Sequence, residues 1–296
     1  MVNVLRARLQ QGHRTIKFPD DGIRLPERFR GRPKIDQSKC PDGCRACVDA
    51  CPTQAISFGP QQAFPSPSRS VPSPLAGEEP GSASLRPLLQ LDLGRCIFCT
   101  ECVDACPEKA ISYTTEFRMA TRSREDLVLT GGEQKLASAL DKKMRKLFGR
   151  SLKLRQVSAG GCNGCEVEAN ATGNIVFDAL RFGIQFVASP RHADGLLITG
   201  PVTRNMELAL RKTYDAVPPP KLVIATGACA ISGGPFRDHP EVLNGCGGLV
   251  PVDLYIPGSP PHPLTILDGL LRLLGRIQDG RRAQSHSPGS SALVRL

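Results

Sequence analysis

Cys96, Cys99, Cys102 and Cys106 stand at C-x-x-C-x-x-C-x-x-x-C-P, closed by Pro107. Three thiols at two-residue intervals can wrap one tight loop around three corners of an iron–sulfur cube. The fourth opens a helix, and the proline turns the chain toward a neighbouring cluster; this is the spacing that binds [4Fe–4S]. Zinc needs only four tetrahedral ligands, usually as two separated pairs, and explains a C-x-x-C-x-x-C triplet poorly. An earlier run, Cys40, Cys44, Cys47 and Cys51 before Pro52, repeats the pattern, and Val-Asp-Ala-Cys-Pro occurs in both. Ala55-Ile56-Ser57 echoes Ala110-Ile111-Ser112 in the same way. The repeat predicts a duplicated unit whose halves pack as a pseudo-twofold pair. The first gap of the earlier run is one residue longer, but the extra residue falls in Pro41-Asp42-Gly43, a turn sequence that can bulge outward without moving the sulfurs far. In two-cluster units the fourth cysteine of each run serves the other cluster. Cys40, Cys44, Cys47 and Cys106 are therefore expected to hold one cube, and Cys96, Cys99, Cys102 and Cys51 the other.

Further cysteines lie in loops rich in small residues. Gly160-Gly161-Cys162-Asn163-Gly164-Cys165-Glu166, Thr226-Gly227-Ala228-Cys229 and Pro257-Gly258-Ser259-Pro260-Pro261 each follow a short apolar run. Small residues let the backbone approach a bulky group and offer amide N–H groups to its sulfides. A third iron–sulfur cluster is one reading of these loops, and ordinary tight turns with incidental cysteines are the other. His239 and His262 have no motif that places them on a metal and are read as loop residues.

The elements that must hold these loops can be read from periodicity. Apolar runs at 152–157, 184–188, 195–199, 221–225 and 252–256 read as strands, and 203–215 and 263–278 as helices. Buried strands alternating with helices suggest an open α/β sheet with crossovers, on which ligands sit beyond the carboxyl ends of the strands. Leu136, Leu140, Met144, Leu147 and Phe148 lie near helical spacing, so a connecting helix is expected over 133–148, bounded by Gly131-Gly132 and Gly149. Residues 59–90 are rich in Pro, Ser and Gly and read as an inserted surface loop. Residues 1–35 read as a basic arm, lying along a membrane or partner or simply solvated.

Around the third set of loops, Gly-Cys-Asn-Gly-Cys-Glu, Ile198-Thr199-Gly200-Pro201-Val202-Thr203, Thr226-Gly227-Ala228-Cys229 and Val252-Asp253-Leu254-Tyr255-Ile256-Pro257-Gly258 together carry a family resemblance. The segment from about 151 to 278 resembles the B (20 kDa) subunit of NADH–quinone oxidoreductase, or complex I, and the small subunits of membrane-bound [NiFe] hydrogenases and formate hydrogenlyases. Residues 36–115 resemble the two-cluster ferredoxin subunit of the same assemblies, so the chain looks like a fusion of two neighbouring subunits. The resemblance implies an α+β ferredoxin-like iron–sulfur domain (36–118), a connecting helix region (119–150), an α/β open-sheet, flavodoxin-like domain (151–282) and a tail (283–296). It also implies three [4Fe–4S] clusters, the third facing a large catalytic subunit. Cys162-x-x-Cys165 looks like the hydrogenase spacing, whereas quinone-reducing B subunits have an adjacent pair. The family's last ligand sits in Pro-Gly-Cys-Pro-Pro, and Ser259 takes that position here. A hydroxyl is a harder and less acidic ligand than a thiol. The fourth ligand beside Cys162, Cys165 and Cys229 is therefore expected to be Cys246, from the Asn244–Gly248 loop, or Ser259 itself. Glu166, directly after a ligand, is a candidate for proton movement or a salt-bridged carboxylate.

Composition narrows the function classes. Twelve cysteines in a chain of 296 residues do not suit the disulfide framework of a short secreted protein. Met1–Arg6 has no long apolar run before its next charges, and the thiols suit a reducing compartment, so a cytoplasmic location on the inner face of the membrane is expected. No stretch approaches the roughly 20 apolar residues of a span. The net charge of +10 fits an anionic membrane surface or an acidic face of a larger complex. With no aromatic-rich basic motif, no nucleic-acid partner is expected. Neither a G-x-G-x-x-G nor a G-x-x-x-x-G-K-[ST] loop is present. The expected function is an electron-transfer subunit of a membrane-associated [NiFe] hydrogenase or formate hydrogenlyase-type complex. Its partners would be a large [NiFe] hydrogenase-like or complex I 49 kDa-like subunit and membrane-arm subunits. The alternatives are a complex I-like quinone reductase subunit and, in another class, a zinc-stapled basic module that binds nucleic acid.

Overall fold

The computed structural model describes residues 2–12, 14–19, 23, 25–59 and 87–277. Helix α1 (Val2–Gln11) leaves Val4, Leu5 and Leu9 exposed. The chain then docks on its own body through Thr15, Ile16 and Phe18. Ile16 N donates to the Val176 carbonyl (2.9 Å) and Thr15 Oγ1 to that of Ile175 (2.8 Å). Phe18 is buried between Phe117 and Phe182, at centroid distances of 6.1 and 6.2 Å.

The duplicated unit contains β1 (Pro33–Ile35), α2 (Ala46–Asp49) and β2 (Ile56–Gly59), then β3 (Leu88–Asp92), α3 (Glu101–Asp104) and β4 (Ile111–Tyr113). The halves pair crosswise: β1 runs antiparallel to β4, and β2 to β3. The symmetry extends to single bonds, since Asp36 N donates to Ala110 O and Asp92 N to Ala55 O, both at 2.8 Å. Gln54 and Lys109, at matching places after the fourth cysteines, share a left-handed backbone with φ of 51° and 49°. Gly59 and residues 88–90, expected within the inserted loop, are paired strand; the rest of that loop, 60–86, lies outside the described residues, as does the tail 283–296. Leu88–Asp92 alternates partly and fully buried positions, the period of a strand with one core face, and this outweighed the neighbouring Pro/Ser composition.

A short strand β5 (Val128–Leu129) extends the β2–β3 pair. The helix expected over 133–148 forms only as α4 (Lys142–Phe148), where the Asp141 carboxylate accepts from Met144 N at 2.9 Å and caps it. Upstream, Ala137 N donates to Ala120 O and Leu140 N to Leu273 O. These long-range bonds use the amides a helix would need, and they bury the same Ala137 and Leu140 side chains.

The second unit runs β6 (Leu152–Ser158), α5 (Gly164–Ala171), β7 (Ile184–Phe186), β8 (Gly195–Thr199), α6 (Arg204–Ala216), β9 (Leu222–Thr226), α7 (Ala228–Ser232), β10 (Leu254–Ile256) and α8 (Pro263–Leu273). All its strands pair in parallel, in the order β7-β6-β8-β9-β10. Numbered within the sheet this is 2-1-3-4-5, the flavodoxin-like doubly wound order, whose ligand crevice opens between the first and third strands. Every residue of β8 and β9 is buried, as continuous apolar runs in a parallel sheet require. Helix α8 is buried along its length and carries an internal ion pair, Arg272 Nε to Asp268 Oδ2 at 2.8 Å.

The two units share one core. A single apolar cluster joins Leu91 and Leu93 to Ile198, Ile231 and Cys246. Across the seam Ser232 Oγ donates to Gly94 O (2.8 Å), and in the connecting segment Arg124 grips both Asp92 carboxylate oxygens (2.7 and 2.6 Å) while Thr121 bridges to Tyr255 of β10.

Candidate iron–sulfur centres

Crosswise pairing carries the end of each cysteine run to the start of the other. Cys51, Cys96, Cys99 and Cys102 line one small cavity with Tyr113 and Thr53. The thiols of Cys96 and Cys102 are pushed up to about 11 and about 12, first by burial; Cys51 and Cys99 also raise both. Cys47 is raised to about 11 by burial, then by Cys106, Cys40 and Cys44. Cys106 is thus a neighbour of the Cys40–Cys47 run, and Cys51 of the Cys96–Cys102 run. Thiols held this high keep their protons near neutrality, so a metal would have to displace them on binding.

Local backbone geometry aims the sulfurs. Phe98 and Thr100 adopt φ of 57° and 75° inside the C-x-x-C-x-x-C loop, a conformation that costs about 1–2 kcal/mol for a non-glycine residue. Amides already point at sulfur: Ala55 N to Cys51 Sγ and Ala110 N to Cys106 Sγ at 3.2 Å, and Phe98 N to Cys96 Sγ at 3.4 Å. Among the described residues no three His, Cys, Asp or Glu side chains converge on a single-ion position. The thiols stand around a space, and thiolate-only donors with amides on sulfur fit an iron–sulfur group.

The third set of loops gathers at the carboxyl end of the parallel sheet. Cys162 is exposed, Cys165 buried at the start of α5, and Cys229 half-buried on α7. Cys165 is pushed up to about 12 by burial, then by Cys229, Glu166 and Cys162; Cys229 rises to about 11 by burial, then by Cys162 and Glu166. The three thiols are thus neighbours. Glycines make the room: a Cβ on Gly227 would lie 2.5 Å from Cys165 Sγ, and one on Gly234 2.8 Å from Cys229 Sγ. The 257–261 loop closes the same place, since a Cβ on Gly164 would lie 3.6 Å from Cys162 Sγ and 3.7 Å from Pro260.

Cys246, one of the two expected fourth ligands, lies apart from this gathering. Its amide donates to Ala230 O (2.9 Å), it is 0% exposed within the shared core, and its thiol is pushed to about 12 by burial with no cysteine among the groups acting on it. Ser259 is exposed on the neighbouring 257–261 loop. Glu166 is 5% exposed and accepts from Thr199 Oγ1 at 2.7 Å, a bond from the end of β8 that periodicity does not reveal. His262 caps α8, its Nδ1 accepting from Leu264 N, and burial lowers its pKa; His239 Nδ1 accepts from Glu241 N.

A cavity of about 290 Å³ lies between the Cys96–Cys102 loop and the 257–261 loop. Cys99, Ile97 and Phe98 line one side, Gly258, Ser259 and Pro260 another, with Arg30, His262 and Thr265 between them. Arg30 Nη1 donates to Phe98 O at 2.9 Å, tying the N-terminal segment to the cysteine loop.

Comparison with known proteins finds two family models on the chain: a 4Fe-4S dicluster domain over residues 39–110, and NADH ubiquinone oxidoreductase, 20 Kd subunit, over residues 162–273. Formate hydrogenlyase subunit 7 of Escherichia coli is 44% identical over 157 residues, covering 53% of this chain and 60% of its own length. A probable membrane-bound hydrogenase subunit, mbhJ, of Pyrococcus furiosus is 42% identical over 132 residues, covering 45% of this chain and 79% of that one. The B subunit of NADH-quinone oxidoreductase from Heliobacterium modesticaldum is 44% identical over 122 residues, covering 41% of this chain and 70% of its own.

Proposed function

The chain belongs to the NADH ubiquinone oxidoreductase, 20 Kd subunit family, and on that premise we propose that it is an electron-relay subunit of a membrane-associated hydrogenase or formate hydrogenlyase-type complex, using three [4Fe–4S] clusters. The observation that carries this reading is the shared cavity, lined on one side by Cys99 of the second quartet and on another by Ser259 of the third set. Its position supports reading the two cysteine units as consecutive stations within one core.

When bound, the clusters supply one-electron redox chemistry. Cys40, Cys44, Cys47 and Cys106 hold the first, and Cys96, Cys99, Cys102 and Cys51 the second. Cys162, Cys165 and Cys229 hold the third, with Ser259 at the fourth position. The amides of Ala55, Ala110 and Phe98 donate to ligand sulfurs, and the apolar seam around Leu91, Leu93 and Ile231 excludes water from the second station. Glu166, buried on Thr199 Oγ1 beside Cys165, would pass protons near the third station. A large catalytic subunit would cover the face where Cys162 is exposed and where Val167 and Ile175 stand 57% and 70% exposed.

Among the described residues no helix is long and apolar enough to cross a membrane; the net charge of +10 suits attachment through membrane-arm subunits at the anionic cytoplasmic face. The second reading, a complex I-like quinone reductase subunit, draws on the equal 44% identity to formate hydrogenlyase subunit 7 and to the B subunit of an NADH-quinone oxidoreductase. Iron and acid-labile sulfide analysis of anaerobically purified chain tests the relay: about twelve irons per chain are expected from three cubes. About eight would remove the third station, and zinc in their place would sink the reading.

A further inference from the structure

The repeat that makes the two quartets alike is broken at one informative place. Ile111-Ser112-Tyr113 on β4 matches Ile56-Ser57-Phe58 on β2, so Tyr113 and Phe58 occupy the same position in the two halves. Tyr113 lines the cavity with Cys51, Cys96, Cys99 and Cys102, and its Oη lies 3.5 Å from Cys96 Sγ. Phe58 has no hydroxyl to offer. Cys40, the counterpart of Cys96, meets the Pro41 carbonyl at 4.0 Å, a group that can accept from a thiol but has nothing to donate to a thiolate.

We propose that Tyr113 donates a hydrogen bond to the Cys96 sulfur and makes the cluster on Cys96, Cys99, Cys102 and Cys51 easier to reduce than its pseudo-symmetric neighbour. The proposal rests on the ligand assignment above. Once Cys96 is a metal-bound thiolate it carries no proton, so the direction of the bond is fixed with the phenol as donor. A phenol is protonated near neutrality, so the donor proton is in place. Reduction adds negative charge to the cluster and its sulfurs. A donor aimed at a ligand sulfur favours the reduced form, and a partly buried, low-dielectric setting strengthens the effect. The favoured cluster is the one whose Cys99 faces Ser259 across the shared cavity, so electrons arriving at the first quartet would run downhill toward the third station.

The test is a potentiometric titration followed by EPR on the full-length, anaerobically loaded chain, comparing wild type with Tyr113→Phe. One of the two clusters of the dicluster unit is expected to show a reduced-to-oxidised ratio about three- to tenfold lower at fixed potential. Tenfold corresponds to about 59 mV for one electron. The other cluster should not move, and an exchangeable proton coupled to the wild-type cluster, seen by ENDOR after transfer to D₂O, should vanish. Equal ratios within about twofold, a uniform shift of both clusters, or loss of iron from the variant would each overturn the proposal. A wild-type chain without the dicluster signals would instead overturn the ligand assignment itself.

Discussion

Gly227→Ala should empty the third station and leave the other two intact. Gly227 directly follows β9 at φ +89°, and its amide is committed to Ile256 O at 2.8 Å. An added Cβ would sit 2.5 Å from Cys165 Sγ, where ordinary contact begins at 3.4 Å and anything under 3.0 Å forces a shift. The sulfur must therefore move by about 0.5 Å at the least and about 0.9 Å to relax fully. Metal–ligand distances tolerate only about 0.2 Å, so the thiol leaves bonding position. The left-handed backbone adds about 1–2 kcal/mol of strain for alanine. Iron should fall from about twelve to about eight atoms per chain, the content of two cubes, with the EPR signals of the dicluster unit unchanged. Gly247→Ala is the control, since a Cβ there meets nothing within 4 Å. A Gly227→Ala chain that keeps about twelve irons would refute both the steric reasoning and the assignment of Cys165.

Cys246→Ser should retain all iron while losing about 1–3 kcal/mol of stability, because a hydroxyl in that apolar core lacks a partner; loss of one cluster would return Cys246 to the ligand set. Thr199→Val removes the donor from the buried Glu166 carboxylate and should cost about 1–3 kcal/mol in denaturant unfolding, with Thr199→Ser recovering most of it. Arg272→Met breaks the buried pair with Asp268 and should cost about 3–5 kcal/mol, measured by unfolding at pH 8. Burial holds the Asp268 carboxyl up at about 6 against 3.8 unfolded, although Arg272 pulls it down. The folded state therefore binds the proton more tightly, and this group's contribution falls as pH rises from about 4 to about 6. In the variant that fall should continue to higher pH, so a profile identical to wild type would count against the pair.

Much of the site was legible because thiol spacing is local chemistry. The swapped quartets were expected from two C-x-x-C-type runs and a repeat, and the crosswise β1–β4 and β2–β3 pairing brings the end of each run beside the start of the other. The parallel strands were legible too, since β8 and β9 read as unbroken apolar runs. Three features depend on contacts far apart in sequence. Cys246 looked available because glycines flank it, yet Ala230 O holds its amide inside the core. The 133–148 stretch has helical spacing, but Ala120 and Leu273 compete for its backbone. The bond between Thr199 and Glu166 joins the end of one strand to a helix that starts from another, and neither residue announces it alone. Tyr113 was visible as a mismatch in the repeat, but only its distance to Cys96 gives the mismatch meaning.

The crosswise pairing has a consequence for biogenesis. Strand β1 finds its partner only when β4 emerges from the ribosome, and on the proposed ligand assignment the first quartet lacks its last thiol until Cys106 does. The nascent first half thus offers Cys40, Cys44 and Cys47 as an open tripod with no completed cage. Cluster delivery before Cys106 is synthesised would leave an iron without its fourth sulfur, vulnerable to oxygen. The architecture accordingly favours loading after translation of the whole unit, with both cages closing together.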